Sequence, residues 1–257
     1  LDNAGANGLA VFGAQRLARR TEHHGEGERL LALTHLIAGE HVEQLDGFQI
    51  LAGSLTHHLL KLGGGHGPTS SLTQCWNDVF IPRVAELTNG RVTVEHFEND
   101  SIGVETDRIE QTQLGTLQMT YISEAASSID PTIGVLAMPF LFQSEEHYDA
   151  VIDGDVGKQI YANLENYGLH PMGYLENGFR VLTTSKHEVH SLADLAGLKI
   201  RVSQSDIPIA TFQALGANTV AMSFGELYSA LQTGTVDGQE NAFNTIASAK
   251  LYEVQKY

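Results

Sequence analysis

With one cysteine, one tryptophan and six prolines in 257 residues, this chain has little of what staples or punctuates a fold. The lone Cys75 excludes an internal disulfide and leaves the redox compartment open. Positive charge is scarce as well: 15 Lys and Arg stand against 31 Asp and Glu, for a formal charge of −16. Nucleic-acid surfaces need clustered Lys and Arg; no such cluster exists in this sequence, so nucleic acid is not expected as a partner. Anionic membrane surfaces are disfavoured on the same ground. No run approaches the roughly 18–20 apolar residues of a membrane span, so no membrane insertion is expected. An acidic chain of this kind binds an anion only through locally placed positive groups.

What is present suits an ordinary globular protein. Hydrophobic residues make up 42% of the chain, enough for a real core, and the length admits one large domain or two smaller lobes. Residues 1–57 read differently from the rest and stay unassigned. They hold no proline but carry His23, His24, His35, His41 and His57. Metal binding is not expected there, because the spacing of His35 and His41 does not put two ligands on one helical face and no cysteine supports them. Weak amphipathic helices fit Ala14–Arg20 and Glu28–Leu36. Leu30–Gly39 has the length of a secretory h-region, but Thr34, His35 and the following Glu40 argue against it. A first residue of Leu1 rather than Met suggests a processed or partial product.

Organised α/β pattern begins near Leu59. LLKLGG reads as a strand running into the glycine-rich turn Gly63–Gly67. Neither a Gly-Lys-Ser/Thr nor the third glycine of a dinucleotide fingerprint follows, so these glycines are read as turn residues and no nucleotide cofactor is expected. A helix is predicted over Ser71–Thr88, with Leu72, Cys75, Trp76, Val79 and Phe80 on one buried face and a kink or break at Pro82. Asn89-Gly90 stops it. Arg91–Phe97 alternates like a strand, a helix fits Gly103–Leu114, and a strand fits Leu117–Ile122. Glu124 follows directly at that strand's carboxyl end, as a solvated carboxylate or a cleft residue. Pro139 keeps VLAMPFLF out of a central strand or helix interior. Helices from Ser144 to about Ile152 and over Val156–Tyr167 complete this half.

Pro171–Tyr174 and Phe179–Thr184 read as one extended crossing interrupted at Asn177-Gly178, a hinge between lobes, with Arg180 on it. Beyond it come a capping-box start at Ser191, a strand Lys199–Val202, a helix Asp206–Leu215 and a strand Asn218–Met222. A capping box at Ser223/Glu226 opens a helix ended by Gly234, and Thr235–Gln239 is strand-like. Strand ends in a parallel sheet gather where ligands sit, so Arg201 and Asn241 are candidates for one cleft. From the residues alone, each has a second reading. Arg201 pairs equally well with Glu226 or Asp237, Asn241 equally well caps a following helix, and Phe224 suits a core position. Paired acid–base carboxylates at Asp237 and Glu240 find no further support.

Several stretches carry a family resemblance: TNGRVTVEHF at 88–97, MPFLF at 138–142, GFRVLTTS at 178–185, DLAGLKIRV at 194–202, ALGAN at 214–218, FGELYSALQTGTVDGQEN at 224–241 and YEVQKY at 252–257. From about residue 59 to 257 the chain resembles the substrate-binding proteins of tripartite ATP-independent periplasmic (TRAP) transporters, the DctP family. The resemblance implies an α/β, two-lobe periplasmic-binding-protein-like fold with a hinged interlobe cleft. The expected organisation is an unassigned segment 1–57, a first lobe 58–177 and a second lobe 178–257. It implies a periplasmic solute-binding protein that captures a small organic carboxylate and delivers it to TRAP membrane permease subunits, with no enzymatic activity and no cofactor or metal. The alternatives are a ligand-sensing module for a signalling receptor and a non-functional truncated fragment. By the same resemblance the carboxylate clamp falls on Arg201 with Asn241, a second arginine on Arg180, an aromatic cleft residue on Phe224 and an acidic one on Glu124. Two positions depart from the family pattern: Ser203 and Ala242 stand where prolines are usual. Similar proteins also continue beyond the position of Tyr257, so the first lobe is expected to lack a C-terminal return.

Overall fold

The computed structural model describes residues 8–13, 57–175 and 177–257. The histidines 23, 24, 35 and 41 and the helices and apolar run read between 14 and 39 lie outside them.

Two sheets organise the described residues. The first contains β1 (Gly8–Gly13), β2 (His58–Gly63), β3 (Val92–Phe97), β4 (Met119–Ile122) and β5 (Leu169–Leu175), in the order β3-β2-β4-β1-β5 and with every pairing parallel. Alternation identifies its outer strand. In β3, Val92 and Val94 are buried while Thr93 and Glu95 face solvent, the pattern of a strand covered on one side. β4 is buried at every position, as a strand covered on both sides must be. Met119 and Tyr121 join Leu62, Trp76, Phe80 and Val84 on one side, while Ile122 joins Ile109, Ile133, Ile160 and Leu164 on the other. Pro171 lies in β5 at the sheet edge, where its missing N–H breaks no ladder. β1 fills the slot between β4 and β5, so the segment left unassigned by sequence supplies a strand of the first lobe.

The helix expected over Ser71–Thr88 runs as Ser71–Cys75, a π-helical turn Trp76–Phe80, and Ile81–Leu87. Pro82 sits at the start of the last segment. It has no N–H to give to the carbonyl four residues back, and the wide turn, in which the Ile81 N–H reaches the Trp76 carbonyl, absorbs that loss. The apolar run at 135–142 forms a short 3-10 turn, Val135–Ala137, and then irregular chain past Pro139.

Past β5 the chain crosses to the second sheet at Asn177-Gly178. Gly178 has φ of +98°, a backbone state open to glycine at little cost, and Asn177 accepts from Thr245 Oγ1 at 3.0 Å. The second sheet has the order β6-β9-β7-β8, built from β6 (Arg180–Thr184), β7 (Lys199–Val202), β8 (Asn218–Ala221) and β9 (Gly238–Ala242). β7 runs parallel to β8 and β9, and β6 antiparallel to β9. The helix Phe224–Gln232 packs Leu227 and Leu231 onto Val236 and Ile246, while Leu195, Leu198, Ile200 and Val202 form a second cluster. The molecule is thus an α/β protein of two lobes. Among the described residues no helix is long and apolar enough to cross a membrane.

Candidate functional site

A cavity of about 740 Å³ lies between the lobes. The carboxyl ends of β2, β4, β7 and β9 all reach it, the usual position for a ligand on parallel strands. Arg180, Arg201, Asn241, Phe224 and Glu124, the five residues singled out from sequence, all line it. Cross-lobe hydrogen bonds close the two halves over it. Ser203 Oγ donates to Glu124 at 2.7 Å, Ser127 and Ser205 share a hydroxyl contact of 3.1 Å, and Thr69 Oγ1 donates to the Ser248 carbonyl at 2.8 Å. The first of these rests on a departure from the family pattern: a proline at position 203 has no hydroxyl to give Glu124.

β9 is the most informative strand. It is central in its sheet and fully buried, yet it reads Gln239-Glu240-Asn241 at its core. Buried polar groups need partners, and each has one. Glu240 takes the fork of Arg180: Nε bonds one carboxylate oxygen, and Nη2 reaches the other, as well as the backbone carbonyl, at 2.9 Å. Burial works against that guanidinium's charge, but Glu240 and then Glu124 hold its pKa above the ordinary value. Asn241 donates to Gln239 at 2.6 Å and accepts from Arg180 at 3.3 Å. Gln239 in turn donates to Thr183 at 2.8 Å, and Thr183 to Gln255 at 3.0 Å. A polar relay from the YEVQKY stretch therefore orients Asn241. The strand expected over Thr235–Gln239 lies instead at Gly238–Ala242 and so includes Asn241, and Asn241 does not cap the next helix, Phe243–Ser248, whose cap position is Ala242.

Arg201 is 3% exposed and donates through Nε and Nη2 to the Met222 carbonyl, at 3.1 and 2.7 Å. Neither partner suggested from sequence holds it. Glu226 accepts from Ser223 N and Oγ at the head of its own helix, and Asp237 accepts from the Lys199 N–H and faces Lys186. Among the described residues Arg201 forms no ion pair. Burial first, then the neighbouring charge of Arg180, pushes its pKa down to about 10. It remains a cation at neutral pH, held from water by an uncharged carbonyl. Asp237 and Glu240, each with its own cation, do not form an acid–base pair.

The first-lobe wall is acidic. Burial opposes the charge on Glu124, but Arg180, the Ser203 hydroxyl and Arg201 together keep its pKa below the usual carboxylate value. Glu105, in the first turn of the helix Glu105–Gln113, also lines the cavity. Its carboxylate accepts from Ser123 N at 2.5 Å and from Ser123 Oγ at 2.8 Å. Burial, reinforced by Glu124 and opposed by Ser123 and Arg108, raises its pKa from 4.5 to about 7. A carboxyl raised on folding favours the folded state most when protonated, below its unfolded value, and loses that contribution as pH climbs through the folded value. The stability of the ligand-free protein is therefore expected to fall between about pH 4.5 and 7 through this group. Glu105→Gln should flatten that part of the profile. Urea titrations of both proteins across the window check it, and parallel profiles would refute the assignment.

Residues that sequence reasoning passed over include His66, Tyr121 and Arg108, which stand around the glycine turn after β2. The Gly64 backbone leaves no room for a side chain: a Cβ there would lie 2.2–2.5 Å from the Tyr121 ring. One at Gly63 would lie 2.7 Å from Arg108 Cδ. The glycines thus serve close packing against a tyrosine and an arginine. Among the described residues no group of three or more His, Cys, Asp or Glu is placed to hold a metal ion.

Several known proteins resemble this chain in sequence and fold. Residues 66–257 match the family model of the bacterial extracellular solute-binding proteins, family 7 (DctP). A solute-binding protein of Verminephrobacter eiseniae is 39% identical over 181 residues, which is 70% of this chain and 54% of that protein. The chain thus spans about half the length of the curated relatives it matches. Among solved structures, the sugar acid binding protein DctPAm of Advenella mimigardefordensis in complex with galactonate superposes with a TM-score of 0.75 at 38% identity, over 79% of this chain and 65% of that one. A TRAP periplasmic solute-binding protein of Sulfurospirillum deleyianum with bound succinate gives 0.74 at 32% identity, over 78% and 65%.

Proposed function

The chain belongs to the bacterial extracellular solute-binding proteins of family 7, and from that premise we propose that it captures a small organic carboxylate in the interlobe cleft. In this reading it works in the periplasm, performs no chemistry on the ligand and delivers it to the membrane subunits of a TRAP transporter. One observation carries the reading: Arg201 is a buried guanidinium that lines the cavity and, among the described residues, has only a carbonyl for partner. The other two arginines of the cleft, Arg180 and Arg108, already hold Glu240 and Asp100. A ligand carboxylate supplies the missing anion, and a guanidinium fork receives it in fixed orientation. Asn241, itself oriented by Gln239, adds a polar contact without net charge. Phe224 offers an apolar face to the carbon skeleton, and lobe closure excludes water, which strengthens each contact.

Native mass spectrometry of the purified protein, followed by thermal shifts across dicarboxylates, sugar acids and keto acids, tests this. A co-purified small acid is expected, together with a raised melting temperature for at least one class. Ligand at a hundred times its Kd adds about 2.7 kcal/mol of stability. No adduct and no shift with any acid would refute the proposal.

A further inference from the structure

The hydroxyl of Ser203 is used across the lobe boundary, not within its own lobe. Its Oγ donates to Glu124 Oε1 at 2.7 Å, and a bond to an ionised carboxylate is of the stronger kind. Two residues on, the buried Ser205 meets Ser127 of the first lobe at 3.1 Å. The helix that follows, Asp206–Ala214, sets Ile207 against Gly134 of the first lobe. A Cβ at Gly134 would lie 3.2 Å from Ile207 Cγ1, so the bare glycine lets the helix come close. A second group of contacts joins the lobes at the glycine turn after β2. Thr69 Oγ1 donates to the Ser248 carbonyl at 2.8 Å, the His66 ring lies 4.9 Å from that of Phe224, and a Cβ at Gly225 would lie 3.2 Å from Asp100 Oδ2. Glu124, Ser203, His66 and Phe224 themselves line the cavity.

Each of these contacts is made by the protein's own residues, so the seam they form favours closure by itself. Glu124 is its central member. Burial opposes the carboxylate's charge, and three groups that favour it, Arg180, the Ser203 hydroxyl and Arg201, belong to the second lobe. Parting the lobes takes Glu124 from all three at once, and closing them restores all three. We propose that Ser203 is a positioning residue that latches Glu124 across the cleft, so that the ligand-free protein rests closed and a ligand enters by capturing its transient openings. A ligand that closes an open protein must supply the whole bias through its own differential contacts; here the seam supplies much of it beforehand. The inference goes beyond the carboxylate reading and does not depend on it.

Small-angle X-ray scattering of the full chain, shown free of bound acid by native mass spectrometry, tests it in wild type, Ser203→Ala, Ser203→Thr and Glu124→Ala. Loss of one hydrogen bond to a charged group should move the equilibrium about tenfold toward the open state. The radius of gyration is therefore expected to rise in Ser203→Ala and at least as much in Glu124→Ala. It should stay at the wild-type value in Ser203→Thr, which keeps the hydroxyl. Amide exchange localises the change. Residues 124–128 and 203–207 should exchange faster in both alanine variants while β4 and β7 keep their wild-type rates, a pattern that general destabilisation does not give. Ser185→Ala, which loses a hydroxyl bonded inside the second lobe at 3.1 Å, should match wild type in both measurements. If one alanine variant does not fold, the other decides. Equal radii in wild type and the alanine variants would overturn the latch, as would an equal expansion of Ser203→Thr or faster exchange throughout both lobes.

Discussion

Arg201→Ala is expected to abolish the thermal stabilisation that a bound acid confers, and Arg201→Lys to restore only part of it. The guanidinium is 3% exposed and forks onto the Met222 carbonyl through Nε and Nη2. That geometry fixes its plane before any ligand arrives. A charge so placed is already desolvated, so the ligand carboxylate meets it without stripping its water. Removing one partner of a buried, hydrogen-bonded charge pair weakens binding by about 2–5 kcal/mol, or roughly thirtyfold to several thousandfold. Lysine brings a charge but no fork, and cannot hold Met222 and the ligand in one plane. Differential scanning fluorimetry with the preferred acid checks both variants. An unchanged shift in the alanine variant would remove Arg201 from the site.

The legible and illegible parts of this molecule divide by range. Local rules located β3 from the alternation of Val92 and Val94, and the helix beginning at Phe224 from the Ser223/Glu226 capping box. They also ended that helix at Gly234, where φ is +70°. What escaped is what another part of the chain decides. GLAVFG is too short to declare itself, and becomes a strand through the slot between β4 and β5, since strand formation depends on neighbours more than on intrinsic preference. The Met222 carbonyl that holds Arg201 lies across a strand pair, and no charge pattern announces it. Glu105 stands in the first turn of a helix and His66 in a glycine turn, positions that by themselves announce no cavity. Both face the cavity only because β2 and β4 end there side by side. The family resemblance brought Arg180 forward as a second cleft arginine. Its fork is occupied by Glu240, whereas Arg201 has no anion paired with it among the described residues.

Asp100→Ala is expected to destabilise the ligand-free protein by about 3–5 kcal/mol, because it strands a buried charge. Arg108 is 2% exposed and rests on three oxygens: the Asp100 carboxylate, the Gly103 carbonyl at 2.8 Å and Thr120 Oγ1 at 3.3 Å. Only the first neutralises it. The same guanidinium packs against the glycine turn, where a Cβ at Gly65 would lie 2.9 Å from Asp100 Oδ1 and 3.4 Å from Arg108 Nη2. The ion pair therefore backs the loop that carries His66. Removing both charges should be far milder than removing one. Asp100→Ala combined with Arg108→Met is expected to recover most of the loss, since an apolar group of similar reach needs no counter-charge. Urea denaturation of the single and double variants measures both steps, and the double-mutant cycle isolates the coupling. A single-variant loss below about 1 kcal/mol, the range of an exposed pair, would mean that the neutral oxygens of Gly103 and Thr120 already carry the guanidinium. The first-lobe wall would then owe its shape to packing alone.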